Sequence, residues 1–173
     1  MSRTWLYADP HFYHDNICKF TNYNGSKVRP WDDGNEMTED LIRMYNEVVE
    51  DRDRVYILGD VAFSARKLRD SVGRLKGRKV LVKGNHDPDK HKEVYNELFD
   101  DIRACVPKQG FILTHIPIHP ACLSRWRVNI HGHLHANSIE NDDRYDCVSV
   151  EQTDFRPILL DDVLNRHGLK NNA

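Results

Sequence analysis

Trp5-Leu6-Tyr7-Ala8-Asp9-Pro10-His11 sets the reading of the whole chain. Its first four residues form an unbroken apolar run, the pattern of a strand buried on both faces. The next three put a carboxylate and an imidazole at the carboxyl end of that strand. The pattern recurs along the chain. Val55-Tyr56-Ile57-Leu58 is followed by Gly59-Asp60, and Val80-Leu81-Val82 leads through Lys83-Gly84 into Asn85-His86-Asp87. Phe111-Ile112-Leu113 is followed by Thr114-His115, and Val128-Asn129-Ile130 by His131-Gly132-His133-Leu134-His135. In α/β sheets ligands gather outside the carboxyl ends of the strands. Five distant segments could therefore meet at one place.

Further strand candidates lie at 147–150 and 155–160, the latter interrupted by Pro157. Helical spacing fills the gaps. Thr38 is a candidate cap for a helix with Leu41, Ile42, Tyr45, Val48 and Val49 on one face. Residues 67–75 form a shorter stretch ending near Gly77. Residues 89–99 turn Val94, Leu98 and Tyr95 inward, and 161–166 form a last turn closed by Gly168. Strands alternating with helices predict an α/β fold. The 12–35 segment is longer than most connections in a compact domain. It carries Phe12, Tyr13, Phe20, Tyr23 and Trp31 with Lys19, Lys27 and Arg29, and is expected to form an ordered lid or substrate wall.

The length of 173 residues predicts one domain over 1–173. Such a chain buries roughly 70% of its unfolded surface without needing staples. No run approaches the ~20 apolar residues of a membrane span. The opening Met-Ser-Arg-Thr-Trp lacks an apolar segment followed by a cleavage site, so no secretory leader is expected. Cys18, Cys105, Cys122 and Cys147 form no CxxC pair and read as reduced thiols of a cytoplasmic protein. A net charge of −2 argues against a duplex DNA-coating protein. It leaves room for a phosphate-bearing substrate, because two bound divalent cations add about +4 locally.

Each polar piece alone is weak. With ten histidines, one H-x-H arises by chance in roughly one sequence in two. Gly-Asp and Gly-Asn-His-Asp also occur as plain turns. Their joint arrangement at successive strand ends is far more specific. Imidazole and carboxylate together suit Mn, Fe, Zn or Ni better than Ca, which prefers oxygen alone.

Asp9-Pro10-His11, Gly59-Asp60, Gly84-Asn85-His86-Asp87, Thr114-His115 and Gly132-His133-Leu134-His135 resemble, in order, the five motifs of the calcineurin-like metallophosphoesterases. The resemblance runs from Trp5 to about Leu160. The stretches 11–17 and 148–151 look like those of the small bacterial and phage members. The resemblance implies a four-layer αββα sandwich of two mixed β-sheets flanked by helices, with two divalent transition-metal ions at the sheet edges. Mn is the first choice, with Fe, Ni or Zn as alternatives. Asp9, His11 and His135 would hold one ion, Asn85, His115 and His133 the other, and Asp60 would bridge them. His86 would act beside the substrate phosphate, and Asp87 would orient it. Pro10 and Thr114 depart from the commoner residues of the family without removing a ligand. Pro10 biases Asp9 towards extended backbone.

Two such ions neutralise phosphate oxygens and lower the pKa of a water. The implied activity is hydrolysis of phosphodiesters, or of monoesters, of a small molecule or nucleotide. His86 is the candidate general acid or phosphate hydrogen-bond donor. His14 and Asn16 are candidate substrate contacts. Arg125 and Arg127, flanking Trp126, could clamp a phosphate or equally form a surface loop. His131 and His119 are weaker candidates, and His91 and His167 read as solvated. The basic runs at 66–69 and 74–79 read as a solvated face. Two other functions compete. One is a nuclease for short or single strands. The other is a non-catalytic scaffold, which should lack ligands, and none is missing.

Overall fold

The computed structural model describes residues 2–22 and 24–170, so Tyr23 lies outside the described residues. The strands in chain order are β1 (Thr4–Tyr7), β2 (Arg54–Ile57), β3 (Arg78–Val82), β4 (Asp101–Arg103) and β5 (Val106–Pro107). They continue with β6 (Gly110–Leu113), β7 (Trp126–His131), β8 (Tyr145–Cys147) and β9 (Ile158–Leu159). The helices are α1 (Gly34–Val48), α2 (Ala65–Val72), α3 (Lys92–Leu98) and α4 (Leu160–Arg166). One sheet has the order β4-β3-β2-β1-β9, the other β5-β6-β7-β8. Both are mixed: β9 runs antiparallel to β1, β5 antiparallel to β6, and the remaining pairs are parallel. The chain is thus an α/β protein with two mixed sheets and helices.

Side-chain alternation explains the apolar runs. Trp5, Tyr7, Val55, Ile57 and Leu81 face a core shared with α1, α2 and α3. Leu6, Ala8, Tyr56, Leu58 and Val82 face the other way, onto Phe111, Leu113, Val128 and Ile130 of the second sheet. Leu160, Val163 and Leu164 of α4 join this inter-sheet core. The far face of the second sheet meets the segment after β6. Buried Asn129 accepts from the Ile118 N–H at 2.9 Å, and Tyr145 donates to the Ile118 carbonyl at 2.7 Å.

The register levels the strand ends. Tyr7 pairs with Ile57, Ile57 with Leu81, and Leu113 with Ile130. A parallel bridge between Ala8 and Ser149 ties the two sheets together at that edge.

Some boundaries differ from expectation. α1 starts four residues before Thr38, because the Asp33 side chain accepts from the Asn35 and Glu36 N–H groups and caps the helix. Thr38 lies buried inside it, donating to the Gly34 carbonyl and accepting from the Tyr13 N–H. α2 begins under a Ser64 cap and ends at Val72. The strand expected to reach residue 150 stops at Cys147, and Val150–Gln152 is a 3-10 turn. The described residues of the 12–35 segment form an ordered wall up to α1. Phe12, Ile17, Cys18 and Trp31 are buried in the helix-side core. Residues 20–22 and 24–28 fold back on each other, with Val28 N–H donating to the Phe20 carbonyl and Thr21 bridging Lys27. Among the described residues no helix is long and apolar enough to cross a membrane.

Candidate metal centre

The seven candidate ligands come together at the shared edge of the sheets. Their backbone is unusual: Asp9 (φ 56°), His11 (49°), Asp60 (54°), His133 (70°) and His135 (54°) all occupy the left-handed region. Non-glycine residues there are uncommon and cluster at functional sites. The extended Asp9 expected from Pro10 is therefore not found. Asp9 N–H donates to the Gly59 carbonyl at 3.2 Å, and Arg29 grips its carbonyl at 2.6 Å, which together fix the turn. Tight glycines allow the approach. A Cβ on Gly84 would lie 2.2 Å from Asp60 Oδ1, and one on Gly132 would lie 2.4 Å from Asp9 Oδ2.

Two triads result. Potential ligand atoms of Asp9, His11 and His135 lie within 4.8 Å of one another, as do those of Asp60, His115 and His133. Asp60 reaches both: Oδ2 is 3.6 Å from His11 Nε2, and Oδ1 is 3.4 Å from His115 Nε2. Asn85 Oδ1 adds to the second triad, 2.8 Å from His115 Nε2.

The proton inventory points to cations. His115 Nδ1 is 2.8 Å from the Leu58 carbonyl and must donate there, so in the neutral ring Nε2 carries only a lone pair. That lone pair would face two oxygen acceptors, Asn85 Oδ1 and Asp60 Oδ1, a conflict that either a cation or a proton on Nε2 relieves. Burial lowers the His115 pKa, but the Asp60 hydrogen bond and the Asp9 and Asp60 charges outweigh it and raise the pKa above the usual value. Donor atoms around an ion 2.0–2.1 Å away in octahedral geometry are about 3 Å apart; here Asn85 Oδ1 and Asp60 Oδ1 lie 2.8 and 3.4 Å from His115 Nε2, and Asp60 Oδ2 lies 3.6 Å from His11 Nε2. Asp9 Oδ1 and His11 Nε2 are buried with no hydrogen-bond partner. Such atoms are costly unless satisfied. The residues present thus fit a pair of divalent ions.

Supporting bonds aim the ligands. His133 N–H and Ser149 Oγ both donate to Asp9 Oδ2, leaving Oδ1 free. His135 Nδ1 meets Glu151 Oε1 at 3.0 Å, which turns Nε2 towards the site. Glu151 is held in turn by Arg29, whose Nε lies 2.9 Å from the same oxygen. Arg29 is fully buried and also donates to the Pro10 carbonyl at 2.8 Å.

In the metal-free protein, burial pushes the Asp9 carboxyl up to about 6, against the nearby His115 and His135. Burial, with Arg29 adding to it, lowers His11 to about 3. Asp60 is brought down to about 2: burial raises it, but the hydrogen bond and charge of His115 and the His86 N–H outweigh that. Glu151 likewise falls to about 2, since His135 and Arg29 outweigh its burial.

The remaining sequence candidates divide. The exposed His86 ring sits at the mouth, 5.9 Å from the His11 ring and 5.2 Å from Phe63. Asp87 does not orient it. Both Asp87 oxygens accept backbone N–H groups, from Asp60, Gly84 and Val61, at 2.9–3.1 Å. The role expected of Asp87 is thus corrected: it pins the loop carrying Asp60 against the loop carrying Asn85. His14 borders the site, its ring 5.7 Å from that of His11, with Nδ1 accepting from Ile17 N–H. Asn16 accepts instead from Lys19 Nζ on the surface.

Arg125 and Arg127 are not at the site. Arg127 is the second residue of β7, at its far end, six residues before His133, or about 20 Å in extended chain, and pairs with Asp143. His131 is fully buried, its Nδ1 2.7 Å from the Gly132 carbonyl. His119 is an exposed turn cap. His167 is not simply solvated but pairs with Asp146 at 3.0 Å. The basic runs form the expected surface, where Arg69 pairs with Glu97 and Arg74 with Glu39. Sequence reasoning missed Arg29 as a structural centre, Glu151 and Ser149 as supports, and Phe63 beside the mouth. Ser149 and Glu151 lie in the stretch 148–151 and Arg29 in the 12–35 wall that the sequence singles out, but without these roles, and no local pattern marks Phe63.

Fold and site together define an α/β protein with adjoining acid and imidazole groups suited to two metal ions. No protein-family model matches the chain. It belongs to the family of an uncharacterized protein of Methanocaldococcus jannaschii, to which it is 36% identical over 170 residues, covering 93% of this chain and 89% of the relative. It is also 30% identical over 173 residues to the gene 66 protein of Mycobacterium phage L5, covering 80% of each. Among solved structures it is similar to a protein of unknown function from Aquifex aeolicus, with a TM-score of 0.71 and 26% identity. That match covers 94% of this chain and 98% of the other.

Proposed function

We propose that this protein is a phosphoesterase dependent on two divalent metal ions, with the fold of the calcineurin-like metallophosphoesterases. In that reading the two mixed sheets are the inner layers of the αββα sandwich. The observation that carries the proposal is Asp60, whose two oxygens face His11 on one side and His115 on the other. Asp9, His11 and His135 would hold one ion, and Asn85, His115 and His133 the other. The mixed imidazole and carboxylate donors suit Mn, Fe, Ni or Zn, of which Mn is the first choice by the family resemblance. When bound, the ions neutralise phosphate oxygens and make a water acidic enough to serve as nucleophile near neutral pH.

The chain supplies the rest. Glu151 and Ser149 keep His135 and Asp9 aimed. Asp87 keeps Asp60 and Asn85 in register. The His86 ring, free at the mouth, donates a hydrogen bond to a phosphate oxygen or a proton to the departing oxygen. The intact ligand set speaks against a scaffold. The displacement of Arg125 and Arg127 from the site speaks against a nuclease with a long basic track.

The test is a substrate panel. Protein loaded in turn with Mn, Ni, Fe, Zn and Mg is offered bis-p-nitrophenyl phosphate, p-nitrophenyl phosphate, 2′,3′-cyclic nucleotides and short oligonucleotides. Metal-dependent turnover of the diesters is expected. No turnover with any metal overturns the proposal in favour of a scaffold, and preference for oligonucleotides favours the nuclease.

A further inference from the structure

A cavity of about 580 Å³ lies between the two sheets, at the opposite end of the strands from the candidate metal centre. Its place follows from the strands that line it. Arg54 opens β2 six residues before Asp60, about 20 Å of extended chain, and Arg78 opens β3. The facing wall is β5, reached from β4 through Ala104 and Cys105.

Side-chain alternation decides what looks into the cavity. Arg54 shares the inter-sheet face of β2 with Tyr56, and Arg78 shares that of β3 with Val80. Arg54 and Arg78 are registered partners on parallel strands, which run about 4.8 Å apart. Like charges set opposite each other are destabilising. Nearby cations and carboxylates do not relieve them. Arg103 pairs with Asp101 at 2.7 Å, and Asp100 accepts the Lys79 N–H at 2.8 Å. Exposed Arg54, Arg78 and Lys108 make no ion pair or side-chain hydrogen bond among the described residues. The lining holds four cationic side chains against two carboxylates, a local excess of +2 in a chain whose net charge is −2.

Tyr56 is the second observation. It is 8% exposed and its ring packs in the inter-sheet core, yet it lines this cavity. Tyrosines so buried usually pair their hydroxyl. Among the described residues this hydroxyl has no partner, which leaves it as a donor within the basic wall.

We propose that this cavity binds the phosphate dianion of a small phosphomonoester, at a site separate from the metal centre. A phosphate group carries about −1.5 to −2 charge at neutral pH and three strong acceptor oxygens. It would lie between Arg54 and Arg78, whose planar guanidinium groups match pairs of phosphate oxygens. Lys108 and the Tyr56 hydroxyl would add donors. A bare phosphate leaves much of the volume unfilled, and Val80, Val106 and Pro107 give the remainder an apolar wall for the organic part of the ester. The inference does not rest on the phosphoesterase reading, because none of these residues belongs to the metal centre.

Chemical-shift mapping by NMR separates the two sites. The full-length protein, with Mg present, is titrated with phenylphosphonate, whose phosphorus–carbon bond resists hydrolysis. Benzoate, which keeps the ring but carries a singly charged carboxylate, is the comparison. Phenylphosphonate is expected to shift the amides of residues 54–56 and 78–80 and of Val106 and Lys108. It should bind there about tenfold or more tightly than benzoate, the scale of one charge-assisted hydrogen bond. The double variant Arg54→Gln, Arg78→Gln should weaken that event by about tenfold or more, while any response at Asp60, Asn85 and His133 stays within twofold. Both arginines are exposed and their opposition is unfavourable, so the ligand-free melting midpoint of the variant should not fall. Tyr56→Phe keeps the ring in the core and should weaken phosphonate binding by about three- to tenfold, the scale of one neutral hydrogen bond. Shifts confined to the metal centre overturn the inference, as do equal affinities for phosphonate and benzoate or a double variant within twofold of wild type. Shifts spread evenly over the other exposed arginines would show unspecific ion binding and overturn it too.

Discussion

Replacing Arg29 by Met should damage one half of the candidate metal centre and spare the other. The guanidinium is wholly buried and holds Glu151 Oε1 at 2.7–2.9 Å. It also donates to the carbonyls of Asp9 and Pro10. Met fits the volume and meets the Met37 sulfur already 3.3 Å from Arg29. The loss is therefore electrostatic. Removing one partner of a buried pair costs about 3–5 kcal/mol, because the other charge stays buried and uncompensated. For a domain of this size each kcal/mol shifts the midpoint by about 2–4 °C, so a fall on the order of 10 °C is expected in thermal unfolding. Glu151 orients His135, and Arg29 holds the Asp9 turn, so the site of Asp9, His11 and His135 should lose about 10–100-fold in metal affinity. The Asn85, His115 and His133 site has no contact with Arg29 and should change less than threefold. Calorimetric titration with Mn resolves the two events. Adding Glu151→Gln to Arg29→Met should recover part of the stability, since no buried charge is then left unpaired. A midpoint within 2 °C of wild type, or parallel weakening of both sites, would refute the reasoning.

His86→Ala should retain two metal equivalents yet lose on the order of 10²-fold or more in turnover, the scale of a proton-transfer group; wild-type turnover in the metal-replete variant sinks that role. Gly84→Ala drives a Cβ to 2.2 Å from Asp60 Oδ1. It should cost about 1–3 kcal/mol and weaken both metals together, because Asp60 reaches both triads; unchanged metal stoichiometry and affinity would contradict it. Asp53 gives an acid signature remote from the centre. Burial raises its pKa, but the Arg3 N–H, the Trp5 indole and the Glu50 N–H outweigh that and bring it below the usual carboxylate value. Its stabilisation is complete above the unfolded value of about 4 and is lost as pH falls through the lower folded value. Asp53→Asn should therefore flatten the loss of stability below pH 4 in denaturant titrations, and an unaltered acid limb would count against it.

The strands were legible for a physical reason. β1, β2 and β3 are buried on both faces, so their apolar runs carry no competing polar signal. β4 and β5 were not legible, because Asp101-Ile102-Arg103 and Val106-Pro107 are short edge segments whose pairing is decided by their neighbours. The candidate ligands, which the fold brings together, were legible because their side chains name their own chemistry. Arg29 was not, because its meaning depends on a wall folded back by the burial of Phe12, Ile17 and Trp31. Arg125 and Arg127 misled through nearness in sequence to His133. A strand separates its ends by its own length: Arg125 precedes β7 and Arg127 is its second residue, while the candidate ligand His133 follows its other end.

The same residues that carry the site also carry its cost. Five candidate ligands sit at positive φ, and at about 1 kcal/mol each they withhold about 5 kcal/mol from a fold whose net stability is about 5–15 kcal/mol. Asp9 Oδ1 and His11 Nε2 add unsatisfied buried atoms. Fold stability and metal occupancy should then be tightly linked. An ion at 100 times its Kd contributes about 2.7 kcal/mol. Two sites filled at that level contribute about 5 kcal/mol, which raises the unfolding midpoint by roughly 10–20 °C. Chelation should reverse the shift fully, and His11→Ala should reduce it to the contribution of one ion. A midpoint indifferent to millimolar Mn would mean that the left-handed turns and unpartnered atoms serve something other than cation binding, and the two-metal reading would fall with it.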